Sequence, residues 1–390
     1  MEVNLITIQF ISKIRGFFNH LIKQKFNDIR FVSANKTYEA VSWKHKLQSR
    51  LIRSKLADFL GIIQILKLTN SDFDIAGSFN RFVLGDKPYF IYLENPTALY
   101  HYKLERNKTF LGKRKFINSM RNNKLKSIIC MSKACFYEEK SIVERVNNLV
   151  SVKVIYPLVP SNDYVNSDFI SKRSYSKKLK LLFVTQGSRF VSKSGPETVQ
   201  VMQKLKDINV ELTILTERKD IPKETLKLIE GSSNINLLEF GLSFYEMQKL
   251  YAESHILVHL TSDDSFGVTL LEAMKAGLPI ISTNLYAIPE MVTDNYNGFL
   301  HDPKWWFFSA DNTPNPNIWN HRKKTLYNTD IIDHELIDFA VKHIRKLYEN
   351  RDLLAKMSNN SLKRSSDEPF SDIYIKQQWE NEMISIMKRS

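Results

Sequence analysis

Thr261–Glu290 reads TSDDSFGVTLLEAMKAGLPIISTNLYAIPE. The run before it, HILVHL (His255–Leu260), is apolar and β-branched, as a buried strand is. From Gly267 to Ala276 the spacing is helical: Val268, Leu271 and Met274 share a face, with Leu270 beside them. Gly277 suits a left-handed helix end, and Pro279 blocks continuation. Pro279–Thr283, PIIST, reads as a second buried strand. The stretch is therefore a strand–loop–helix–strand unit with an acidic loop of small residues.

Asp264 and Glu272 stand across that loop and two turns of the helix. At about 1.5 Å rise per residue, Glu272 lies roughly 7 Å from the helix start. The amides of Ser265, Phe266, Gly267 and Val268 open the helix, and such an end favours an anion through its N–H groups and dipole. A carboxylate at the loop and another on the first turns can bracket a phosphorylated sugar. The plainer reading of the same spacing is an N-cap aspartate and a solvated helix glutamate.

SDDSFGVTLLEAMKAGLPIIST, followed by YAIPEMVTDNYNGFL, resembles the donor-site signature of glycosyltransferase family 4. The resemblance implies an α/β fold of two Rossmann-like domains facing a cleft (GT-B), with a C-terminal helix crossing back to the first domain. It implies a nucleotide-sugar donor and retention at the anomeric carbon. The family's E-x7-E pattern stands here as Asp264-x7-Glu272, with aspartate in the first place. By that resemblance Glu272 holds the donor ribose and Asp264, one methylene shorter, faces the transferred sugar.

A chain of 390 residues is too long for one compact core and predicts two domains. No apolar run reaches the ~18–20 residues that span a bilayer. MEVNLITIQF lacks the basic start and cleavage site of a signal peptide. Cys130 and Cys135 lack the further Cys and His partners of a zinc site, so free thiols in a reducing cytoplasm are expected.

The net charge of +14 is unevenly placed. Residues 1–160 hold 27 Lys+Arg against 12 Asp+Glu, whereas residues 161–390 hold 29 against 30. The excess is densest over residues 100–126, where nine basic residues interleave with Tyr100, Tyr102, Phe110 and Phe116. Such a surface docks on anionic lipid, binds nucleic acid, or is an ordinary solvated face. The sugar-transferase reading favours a membrane surface over nucleic acid, whose recognition motifs are absent.

In chain order, LITIQF, DIRFVSA, FDIAGSF, KPYFIYLEN, SIICMS and VKVIYPL read as strands of a first domain, residues 1–160. Phe17–Lys25 and much of Ser42–Leu68 read as helical. Residues 161–178, polar with no clear period, read as a linker. Residues 179–369 form the second, nucleotide-sugar domain, with strands KLLFVT, VELTILT and INLLEFG and a capping box at Ser243 and Glu246. Lys304–Lys324 reads as an inserted aromatic loop, Glu335–Met357 as one helical stretch, and residues 370–390 as the returning helix.

The resemblance also places residues one by one. Gly16 stands in the loop where relatives carry a Gly-Gly pair. Glu94 ends a strand where many relatives place a histidine near the reacting sugar. It is a candidate to orient an acceptor hydroxyl or take its proton, or is a glutamate bonded to local amides. His101 is a second candidate beside it. Lys193-Ser194-Gly195, with Arg189 before it, is similar to the family's basic loop on the donor diphosphate. A solvent-facing pair on a turn is the alternative. Phe240 is placed beside the nucleotide base.

What this implies is a retaining hexosyltransferase with a UDP- or GDP-linked donor, no other cofactor and no metal. The acceptor is a saccharide or lipid-linked saccharide, in cell-surface polysaccharide synthesis at the cytoplasmic face of the plasma membrane. A sugar-nucleotide epimerase of the same fold and a non-catalytic nucleotide-binding or basic scaffold protein are the competing readings.

Overall fold

The computed structural model describes residues 5–33, 51–52, 54–68 and 72–390. The chain divides into two compact units, Met1–Leu158 with Asp372–Ser390, and Val159–Ser371.

The first unit is built on parallel strands β1 (Ile6–Phe10), β2 (Ile29–Ser33), β4 (Ile75–Phe79), β6 (Tyr89–Leu93), β7 (Leu125–Cys130) and β8 (Ser151–Val154), in the order β2-β1-β4-β6-β7-β8. All five residues of β4 and of β6 are buried. Burial on both faces is why these strands read as unbroken apolar runs rather than alternating ones. Two short strands, β3 (Ile65–Lys67) and β5 (Phe82–Leu84), pair apart from this sheet. Neither is legible in the sequence, because three residues carry no period.

Ser42–Leu68, expected to be largely helical, falls partly outside the described residues (42–50 and 53). The rest holds a short helix, Lys55–Phe59, and then β3. The last helix, Asp372–Lys388, packs on the first unit's own sheet. Trp379 is 1% exposed there, with ring centroids 5.2–5.6 Å from Phe31, Phe90 and Tyr92.

The basic stretch at 100–126 is only in part a surface. Arg106 is fully buried, bonding Asp58 at 2.8 Å and the Ile62 carbonyl at 2.7 Å. Tyr100 stacks on Phe116 at 4.8 Å and both are buried, so these aromatics belong to the core. Phe110 is 77% exposed, and Lys113, Arg114 and Lys115 are exposed on the same helix, Phe110–Met120. Cys130 and Cys135 are buried free thiols. Among the described residues no helix is long and apolar enough to cross a membrane.

The second unit holds β9 (Leu179–Val184), β10 (Val210–Leu215), β11 (Ile235–Leu238), β12 (Ile256–His259), β13 (Ile280–Thr283) and β14 (Gly298–His301), all parallel, in the order β11-β10-β9-β12-β13-β14. This is the doubly wound order, whose direction reverses between β9 and β12. Residues 161–178, expected as a linker, contain the helix Ser167–Ser174, and its Arg173 is buried on the carbonyls of Ala252, Ala276 and Gly277. Its polar residues hid it, since one buried arginine serves three helix-end carbonyls. The stretch expected as a single helix from Glu335 is two, His334–Glu349 and Arg351–Ser366, broken at Asn350, which caps the second through Leu353.

Candidate active site

In an open parallel sheet ligands bind beyond the carboxyl ends of the strands, where the winding reverses. In the second unit that place lies between the loops after β9 and β12, which carry Arg189 and Lys193 on one side and Asp263 and Asp264 on the other. The sheet order thus assembles residues about seventy positions apart in sequence.

The helix expected after the acidic loop is Val268–Lys275. Its N-cap is Gly267, at φ +81°, which offers no capping side chain. A Cβ there would meet Leu270 Cδ1 at 2.4 Å and Asp264 Oδ2 at 3.4 Å. Glycine is what lets the Asp264 carboxylate lie against the helix end. Phe266 is buried and Ser265 half-buried in that turn.

Two ion pairs join the loops. The Lys193 ammonium bonds Asp264 Oδ2, and Arg189 bonds Asp263 Oδ2. The same Asp264 oxygen lies 2.9 Å from His259 Nε2, at the end of β12. Burial pushes the Asp264 carboxyl up, but the Lys193 charge and the His259 hydrogen bond outweigh it and hold it well below its ordinary range. Burial pushes His259 down, so the ring is neutral; beside an ionised carboxylate, Nε2 carries the proton and donates. His259 Nδ1 is buried without a partner.

Glu272, half-buried on the helix, accepts a hydrogen bond from the Tyr251 hydroxyl at 2.7 Å. Burial raises the Glu272 carboxyl, and the tyrosine hydrogen bond opposes that rise. Phe240 stands 44% exposed beyond β11, two strands from β9.

The first unit gathers its own set. Glu94, 8% exposed after β6, accepts from the Tyr102 hydroxyl and lies 3.6 Å from the Arg15 guanidinium. Its amide donates to Asn80 Oδ1 at 3.1 Å. Asn80, His101 and Tyr102 all have φ near +58°, a conformation that costs a non-glycine residue on the order of 1–3 kcal/mol and concentrates at functional sites. His101 ends the short 3-10 turn Pro96–Tyr100. At Gly16 an added Cβ would meet nothing within 4 Å and φ is not positive, so the backbone there does not require glycine.

Residues 167–313 match the family model of glycosyl transferases group 1. That segment is similar to the group 1 glycosyl transferases. Its similarity to individual members is moderate. The O-antigen chain mannosyltransferase RfbU of Salmonella typhimurium is 26% identical over 201 residues, 49% of this chain and 52% of that protein. An uncharacterised 41.2 kDa protein in the cps region of Klebsiella pneumoniae is 23% identical over 176 residues, 44% of this chain and 47% of that one. The chain spans about half the length of the curated relatives it matches. The crystal structure of Anabaena HepE in complex with UDP and glucose superposes with a TM-score of 0.60 at 14% identity, covering 97% of this chain and 100% of that one. The fold is therefore that of the GT-B glycosyltransferases.

Sequence reasoning missed His259, Tyr251, Asp263 and Tyr327 as members of these clusters. Each looks like an ordinary core or loop residue until the sheet order brings its partner to it. The one available signal was His259, a polar residue closing an otherwise apolar strand.

Proposed function

We propose that this protein is a retaining glycosyltransferase. It moves a hexosyl unit from a UDP- or GDP-linked sugar to a hydroxyl of a saccharide or lipid-linked acceptor, in cell-surface polysaccharide synthesis. The observation that carries the reading is the seat of Asp264: a carboxylate at the winding reversal, tied by one oxygen to both Lys193 and His259. Lys193 and Arg189 are assigned to the donor diphosphate, which departs with the electron pair of the glycosidic bond. Positive groups set where that charge develops lower the barrier.

The acceptor hydroxyl attacks on the same face, and its proton passes to the departing phosphate oxygen. No protein nucleophile and no metal are needed for this step. Asp264 is assigned to the sugar hydroxyls, Glu272 to the ribose, and the turn of Ser265, Phe266, Gly267 and Val268 to the phosphate. In the first unit Glu94 is assigned to the acceptor hydroxyl. The polysaccharide context is supported by the RfbU and cps-region relatives, and the donor class by the ligands of HepE.

A cytoplasmic site of action, peripheral on an anionic membrane through the exposed lysines and Phe110 of residues 100–126, is part of the same proposal. Each basic residue near such a surface contributes about 1 kcal/mol. Thermal-shift titration with UDP, GDP and ADP, followed by nucleoside diphosphate release from a panel of nucleotide sugars, tests the donor half. Turnover abolished by Lys193→Ala and Glu272→Ala supports it, and no turnover of any donor with a crude membrane acceptor refutes it. Transfer of sugar to an added acceptor separates it from epimerisation. Sedimentation with anionic vesicles at low salt, lost at high salt, tests the membrane half.

A further inference from the structure

We infer that Tyr327 is a positioning residue that orients Arg189 for the second phosphate of a nucleoside diphosphate. The inference rests on the donor reading above and extends it to the aromatic loop after β14.

The Tyr327 hydroxyl accepts from Arg189 Nη1 at 3.2 Å and donates to Asp263 Oδ2 at 3.3 Å. Arg189 Nη1 bonds that same Asp263 oxygen, so three groups close a ring about one arginine nitrogen. A hydroxyl completes this ring because it accepts and donates at once. With Nη1 so used, Arg189 Nε and Nη2 are uncommitted among the described residues. Those two N–H groups form the guanidinium edge that takes a phosphate with two parallel hydrogen bonds.

The arginine side chain is 42% exposed, whereas that of Asp263 is 5% exposed. A half-exposed arginine bonded at one point samples many rotamers, and a second anchor removes that freedom before the ligand arrives.

The loop gives the anchor a fixed base. Phe307 stacks on Trp319 at 4.2 Å and 11°, and Trp319 Nε1 donates to the Phe307 carbonyl at 2.7 Å. The Arg322 guanidinium lies 4.5 Å over Trp319 and 4.9 Å over Phe307. The Tyr327 amide donates to the Arg322 carbonyl at 2.9 Å. A continuous set of contacts thus runs from the aromatic cluster to the tyrosine that holds Arg189.

Calorimetric titration of UDP, GDP and ADP and of the matching monophosphates into wild type, Tyr327→Phe, Arg189→Ala and the double variant tests this. Tyr327→Phe keeps the ring and removes one hydrogen-bonding group, a change of about fivefold in binding. The expected result is a loss of about that size for the diphosphate and less than about twofold for the monophosphate. No further loss is expected when Arg189 is already alanine. Equal loss for both nucleotides shows a purely structural role, and an unchanged diphosphate affinity, or a loss that persists without Arg189, overturns the inference while leaving the donor reading intact. If wild type binds none of the three diphosphates, the donor reading fails and the inference with it.

Discussion

His259 Nε2 lies 2.9 Å from Asp264 Oδ2, the oxygen that also takes the Lys193 ammonium. One oxygen of the carboxylate is held twice. A shorter acid than glutamate has fewer torsions, and two donors on one oxygen fix those that remain. We therefore expect His259→Phe to act on turnover more than on donor affinity. A hydrogen bond to a charged group contributes about 1.5–3 kcal/mol, so kcat falls roughly 10- to 100-fold. His259→Gln, which can return an N–H donor, recovers part of the loss. Steady-state kinetics with separate kcat and KM decide it: equal defects in the two variants would show that only the space, not the donor, matters.

Glu272 accepts from Tyr251 and carries the ribose assignment. A carboxylate that accepts two ribose hydroxyls binds a ribonucleotide in preference to its 2′,3′-dideoxy form. The expected preference is on the order of 10- to 100-fold for wild type, from one or two charge-assisted hydrogen bonds. Glu272→Ala should erase it, with the dideoxy nucleotide bound as before. Tyr251→Phe should reduce it only in part, since the carboxylate remains. If Glu272→Ala weakens both nucleotides alike, the ribose assignment is wrong.

The strands were readable because both faces of each sheet are covered, which turns a strand into an apolar run such as ILVH at Ile256–His259. The helix Val268–Lys275 was readable from its spacing and from Gly277. Side-chain partnership was not. Nothing in SKSG announces that Lys193 meets Asp264, because that meeting depends on β9 and β12 being neighbours. Arg106 and Arg173 were unreadable for a related reason: an arginine that serves buried carbonyls looks in sequence like a surface charge. The resemblance to a known family supplied what periodicity could not, the positions of the two loops.

Gly277 ends the site helix at φ +62°. An added Cβ would stand 2.6 Å from Ile170 Cδ1 and 3.2 Å from the Ser358 carbonyl oxygen. Gly277→Ala is strained in backbone and crowded in space, and such combined defects cost roughly 2–4 kcal/mol. We expect a clear fall in the urea midpoint with an unchanged slope. Ala276→Gly, one residue earlier and with ordinary φ, should lose no more than about 1 kcal/mol. Similar midpoints for the two variants would show that the left-handed position carries no constraint.

Glu197 is 7% exposed in the first turn of the helix Gly195–Gln203 and accepts the Asp333 amide at 3.3 Å. Burial pushes its carboxyl from 4.5 up to about 7, with Asp333 adding to the rise and the two amides and Lys304 opposing it. Below pH 4.5 the group is protonated in both folded and unfolded chains and contributes no pH dependence. Between pH 4.5 and about 7 the unfolded chain has released the proton and the folded chain still holds it, so stability falls as pH rises. The loss is on the order of 3 kcal/mol and is complete above that window. His255, lowered to about 4 by burial, works in the opposite direction over part of the same range. It is present in both proteins when wild type is compared with Glu197→Gln, so the difference between them isolates Glu197. The glutamine keeps an acceptor for the Asp333 amide and carries no charge. Urea unfolding at pH 5, 6, 7 and 8 should show the variant gaining on wild type as pH rises, with the gap levelling off near pH 8. Parallel curves across that range would mean that the Glu197 carboxyl ionises as readily inside the protein as outside it.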